Sequence, residues 1–232
     1  MEKIILLVHG YKRHEQHDFD DFYHYAKEKV GCQIERIYWF DNYAKETLTI
    51  KSFLSQIDKV MDKYSDKEII IISYSMGASL FLTEGYKWKN ITDIISIFPT
   101  YYISHFGWLG KIVKTIKLRR KLRKKLSKER YKRLLKSKEK APVEKYPIRL
   151  TLKINHFRMY LLRNFGKISN KNLHIFLNQK DEVNKTKKTF KELKKRIEAK
   201  NVVSYYWINE SHYTVLINNP NFYDQLLNLL NI

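Results

Sequence analysis

Residues 68–80, EIIIISYSMGASL, decide how the chain folds. Four consecutive isoleucines, Ile69 to Ile72, make a β-branched run of the kind buried on both faces in a parallel sheet covered by helices. The run passes through Ser73-Tyr74-Ser75-Met76-Gly77 into the small and apolar Ala78-Ser79-Leu80, where a helix is expected. A sharp strand-to-helix turn needs small side chains two positions before and two after its central residue, because the turn crowds them against neighbouring backbone. Ser73 and Gly77 stand at those positions. Ser75 between them is either an exposed nucleophile or the polar hinge of an ordinary strand-to-helix connection.

Working outward, short β-branched runs recur with helix-like stretches between them, the pattern of a parallel sheet with crossover helices. Strands are predicted at residues 3–8, 34–40, 68–73, 93–98, 173–178 and 202–208, and helices at 18–29, 50–64, 76–88, 184–199 and 221–230. This is an α/β chain with about six mostly parallel strands flanked by helices. Residues 100–170 break the rhythm. Connections in α/β units are short, so some seventy extra residues predict an inserted helical cap, its helices interrupted at Pro142 and Pro147. The core is then 1–99 and 171–232.

The 232 residues suffice for one substantial core. A content of 44% hydrophobic and 14% aromatic residues excludes a disordered chain, although the mean hydropathy of −0.52 shows the remainder to be strongly polar. Cys32 is the only cysteine, which excludes an intramolecular disulfide and a cysteine-based zinc site. The apolar run Ile4 to Val8 is too brief for a secretory leader, and no other run approaches the roughly 20 residues of a membrane span. The expectation is a cytoplasmic protein, with peripheral contact at the inner face of a membrane left open.

Three further motifs follow predicted strands. Val8-His9-Gly10-Tyr11 is either a plain turn or one that aims the Tyr11 amide at the site of Ser75; with the Met76 amide it would supply two donors to an oxyanion. In Asn178-Gln179-Lys180-Asp181-Glu182-Val183, Asp181 could orient an imidazole or cap the helix that follows, and Glu182 competes for the acid role. In Asn209-Glu210-Ser211-His212-Tyr213, His212 can reach over the carboxyl edge of the sheet toward a serine on a central strand.

With these motifs in this order, LVHGY, SYSMG, NQKDEV and ESHYTVL, the chain resembles the α/β-hydrolase family, in particular its small lipase, esterase and lysophospholipase-like members with a helical lid. The resemblance spans nearly the whole chain. It implies Ser75 as nucleophile, Asp181 as acid, His212 as base, Tyr11 and Met76 as oxyanion-hole residues, and Gly10, Ser73 and Gly77 as turn residues. Ser73 replaces the first glycine of the usual elbow. The implied activity is hydrolysis of carboxylic esters through an acyl-enzyme, with no metal or organic cofactor. A thioesterase, peptidase or acyltransferase would use the same residues, and a non-catalytic protein could reuse the scaffold.

Two charged features remain. His14, Glu15, His17, Asp18, Asp20, Asp21 and His24 cluster without the HExxH spacing, so a solvated helix start is the favoured reading over a metal site. Residues 111–140 hold sixteen Lys and Arg against two Glu, a net of +14 out of +21 for the chain. Tyr131 is the only aromatic residue there, which speaks against a single-stranded nucleic-acid platform. Contact with anionic lipid or a substrate phosphate is the expected use, and a merely solvated cap is the alternative.

Overall fold

The computed structural model describes residues 2–10, 18–38, 49–103, 120, 124, 147–181, 183–197 and 201–230, with side chains left undescribed at 147–151. Six strands form one parallel sheet: β1 (Lys3–Val8), β2 (Gln33–Ile37), β3 (Glu68–Tyr74), β4 (Ile91–Ile97), β5 (Asn172–Asn178) and β6 (Val202–Ile208), in the order β2-β1-β3-β4-β5-β6. The isoleucine run lies in β3, between β1 and β4, and Ile69 to Ile72 are all buried. Alternate side chains of a strand point to opposite faces. Accordingly Ile4, Leu6, Ile69 and Ile71 enter one hydrophobic layer, while Ile5, Leu7, Ile70 and Ile72 enter the other. Each such burial contributes about 1.5–3 kcal/mol, so the continuous apolar runs at the centre of the sheet require helices on both faces.

Among the described residues six helices supply that cover: α1 (Asp20–Lys27), α2 (Ile50–Asp62), α3 (Met76–Glu84), α4 (Pro147–Asn164), α5 (Thr186–Arg196) and α6 (Pro220–Asn228). Helix α2 opens with a capping box, in which Ser52 N donates to Thr49 Oγ1 and Thr49 N to Ser52 Oγ. It buries Phe53, Leu54, Ile57 and Met61 along one side. Helix α3 is buried at every position, as an element wedged between sheet and outer helices must be. Phe157 and Leu161 of α4 are fully buried in the same layer, with Phe157 set edge-on to Phe53 at 5.4 Å. Helices α1 and α6 cover the other face through Phe22, Ala26, Phe222 and Leu226.

The element bounds differ from expectation where local chemistry intervenes. Strand β4 stops at Ile97 because Phe98 takes a left-handed backbone conformation, φ +52°. Helix α3 ends at Glu84 and tightens into a 3₁₀ turn, Gly85–Lys87. Helix α4 starts at Pro147, where a first-turn proline lacks only an N–H that has no intrahelical acceptor; Pro142 lies outside the described residues. The basic run lies outside the described residues except for Arg120 and Lys124. Among the described residues no helix is long and apolar enough to cross a membrane.

Candidate active site

Parallel strands leave their carboxyl ends on one edge of the sheet, and the residues that follow β3, β4, β5 and β6 meet there. Ser75 separates β3 from α3 and has φ +53° and ψ −115°, a region that side-chain-bearing residues seldom adopt. Its N–H donates to Ile97 O of the neighbouring strand at 2.8 Å. The turn is tight enough to exclude side chains around it. A β-carbon on Gly77 would lie 2.5 Å from the His9 carbonyl oxygen, and one on Gly10 would lie 2.9 Å from Ser75 Cβ. Ser73 is fully buried, and its hydroxyl donates to Ile95 O at 3.3 Å. The adjacent strand thus satisfies the polar atom that this serine adds.

The His212 imidazole joins the other groups. Nε2 lies 3.1 Å from Ser75 Oγ, and Nδ1 lies 3.0 Å from Asp181 Oδ2. A carboxylate only accepts, so the hydrogen of the neutral ring sits on Nδ1 and Nε2 is left to accept from serine. The ring is buried between Tyr74 and Phe98, with centroids 5.3 and 5.6 Å away. The loop carrying it is tied to the sheet: the Tyr74 hydroxyl donates to the His212 carbonyl, and the Asn178 amide donates to the Glu210 carbonyl.

Asp181 does not cap α5, whose N-cap is Lys185. It closes the preceding turn. Oδ1 accepts from the amides of Val183 and Asn184 at 2.7 and 2.8 Å, and Oδ2 accepts from Asn184 Nδ2 at 3.2 Å. These donors offset the desolvation of a carboxylate whose side chain is only 1% exposed, and they fix the direction in which it faces His212.

Met76 is the first residue of α3, so its amide has no intrahelical acceptor. Tyr11 and Glu182 lie outside the described residues, as do His14, Glu15 and His17. Asp18 accepts from Gly10 N at 2.8 Å, Asp20 pairs with Arg36 at 2.5 Å, and Asp21 accepts from Asn218 N at 2.9 Å. No group of three or more potential metal ligands occurs among the described residues. Sequence reasoning missed two residues of the site. Asn184 orients Asp181, and Thr100 places its Oγ1 3.1 Å from Ser75 Oγ.

No family model matches the sequence, and no curated protein matches it. Solved structures do match over nearly its full length. A structure from work on LipS and LipT, two metagenome-derived lipolytic enzymes, has 11% identity and a TM-score of 0.61, over 99% of this chain and 94% of the other. A thioesterase domain from the curacin biosynthetic pathway has 14% identity and a TM-score of 0.62, over 100% and 92%. A soluble variant of monoglyceride lipase from Saccharomyces cerevisiae, in complex with a substrate analogue, has 13% identity and a TM-score of 0.56, over 99% and 85%. At these identities the likeness is one of fold. The chain has the α/β-hydrolase fold.

Proposed function

We propose that the protein is a serine hydrolase of carboxylic esters, lipase- or lysophospholipase-like, working through Ser75, His212 and Asp181. The observation that carries this reading is the unbroken relay from Ser75 Oγ to His212 Nε2 and from His212 Nδ1 to Asp181 Oδ2, at 3.1 and 3.0 Å, on a serine held at positive φ. His212 takes the serine proton as Oγ attacks the acyl carbon. The carbonyl electrons move to an oxyanion that receives the amides of Met76 and, by resemblance, Tyr11. The protonated imidazole then gives its proton to the leaving alcohol, and water repeats the cycle on the acyl-serine. Asp181 keeps the ring in the required tautomer. The scheme needs no metal or cofactor.

A thioester would follow the same course with a thiol leaving group, and the likeness to a thioesterase domain makes that the second reading. Paired assays on acyl p-nitrophenyl esters and acyl thioesters separate the two by kcat/KM. The enzyme reading itself is tested with a fluorophosphonate, which captures activated serines. Covalent labelling of the wild type, abolished in Ser75→Ala, is expected. An unlabelled wild type would contradict the relay, and labelling retained in Ser75→Ala would assign the nucleophile elsewhere.

The net charge of +14 in residues 111–140 supports a further part of the proposal, peripheral contact with anionic lipid at a cytoplasmic membrane face. Salt-sensitive binding to anionic but not to neutral vesicles is expected. Equal indifference to both would leave the basic run a solvated segment.

A further inference from the structure

We propose that Thr100 is a further catalytic residue, one whose hydroxyl donates its hydrogen to Ser75 Oγ and stabilises that atom as its proton leaves. The inference rests on the serine-hydrolase reading above and adds a group to its mechanism. Thr100 follows β4 and is 3% exposed. Its N–H donates to the Ser75 carbonyl at 3.3 Å, and its Oγ1 is 3.1 Å from Ser75 Oγ and 3.2 Å from Phe98 O.

Counting hydrogens assigns the direction of these contacts. His212 Nδ1–H is committed to Asp181, which leaves Nε2 as an acceptor for the single hydrogen of Ser75. Ser75 then has none to give Thr100, so their 3.1 Å contact is a hydrogen bond with Thr100 as donor. The competing acceptor for the threonine hydrogen is Phe98 O. That carbonyl already receives Asn184 Nδ2 at 3.3 Å, so it is not orphaned when Thr100 turns to Ser75. Phe98, at φ +52°, presents its carbonyl to both side chains.

The chemical consequence follows the charge. As the Ser75 O–H bond breaks and its proton passes to Nε2, Oγ becomes more negative, and the bond from Thr100 gains the strength of a charge-assisted one. The Oγ–C bond then forms, and the electron pair of the acyl carbonyl moves to the oxyanion. Thr100 keeps its own O–H throughout. In the acyl-enzyme, where Oγ is a poorer acceptor, the hydrogen rotates to Phe98 O, and it returns when Oγ leaves during deacylation.

The test compares Thr100→Val, Thr100→Ala and Thr100→Ser with the wild type and Ser75→Ala, by the second-order rate of fluorophosphonate labelling and by kcat/KM on a p-nitrophenyl ester, with melting curves alongside. Thr100→Val keeps the shape and the backbone N–H but removes the hydroxyl, and is expected to lower both rates roughly tenfold or more. Thr100→Ala carries the same expectation and guards against a Val variant that fails to fold. Thr100→Ser restores the donor and is expected to recover most of the loss. A packing role would reverse this order, with Val near the wild type and Ser slower. That order, or Thr100→Val matching a labelled wild type, would overturn the role of Thr100 and leave the triad standing. A wild type that does not label would overturn the hydrolase reading and this inference with it.

Discussion

At Ser75 the backbone is held at φ +53° by the hydrogen bond from its N–H to Ile97 O and by the hydrogen bond from Thr100 N–H to the Ser75 carbonyl. A non-glycine residue in such a region costs of order 1–3 kcal/mol, a cost that persists at functional sites because the surroundings impose the geometry. Ser75→Gly is therefore expected to raise the stability of the fold by about 1 kcal/mol while abolishing fluorophosphonate labelling; a lower melting temperature would contradict the strain. Asp181→Asn keeps the shape of the acid but replaces an acceptor-only group with one that can donate to Nδ1. With the ring in the wrong tautomer, kcat on an ester is expected to fall by about 10³- to 10⁴-fold with little change in melting temperature. Local sequence left Asp181 and Glu182 both open, and only the family resemblance selected Asp181, the residue that lies 3.0 Å from His212 Nδ1. The choice depends on a turn in which Asp181 Oδ1 collects two backbone amides, and nothing in the order of two adjacent acids encodes which one does so.

Among elements, the strands were the most legible, because a run such as Ile69 to Ile72 has only one low-energy use, burial on both faces of a sheet. The helix that follows was legible at its start and less so at its end, since the 3₁₀ turn at Gly85–Lys87 reflects tertiary packing rather than a local stop signal. Thr100 was invisible for a related reason. Its partner lies 25 positions away, just past the end of another strand, and the contact arises only when β3 and β4 are in register. The approach of α3 to β1 rests on Gly77, where any added β-carbon meets the His9 carbonyl at 2.5 Å. Gly77→Ala is expected to destabilise the protein by about 1–3 kcal/mol and to lower ester turnover, because the displaced helix carries both the elbow and the Met76 amide. Urea denaturation with parallel activity measurements checks both effects.

For the whole molecule, one buried phenol, Tyr101, and one half-buried phenol, Tyr160, set an alkaline limit. Burial pushes the Tyr101 hydroxyl far above its ordinary value near 10, and burial together with the Glu84 carboxylate does the same for Tyr160. Above pH 10 the unfolded chain has released these protons while the folded chain retains them, so stability is full below that pH and falls as the pH rises beyond it. Thermal melts from pH 8 to 11 are expected to be steady up to about 10, the unperturbed tyrosine value, and then to decline; Tyr160→Phe should make the decline shallower. The three groups of the relay sit on loops after β3, β5 and β6, and Ser75 and His212, in contact at 3.1 Å, are separated by 137 positions. On a ribosome the chain emerges from its amino end, so Ser75, the proposed nucleophile, is present long before His212, its proposed base, exists. Catalytic competence would switch on only as the last strand docks, and a Ser75-directed probe would then time the completion of folding during synthesis.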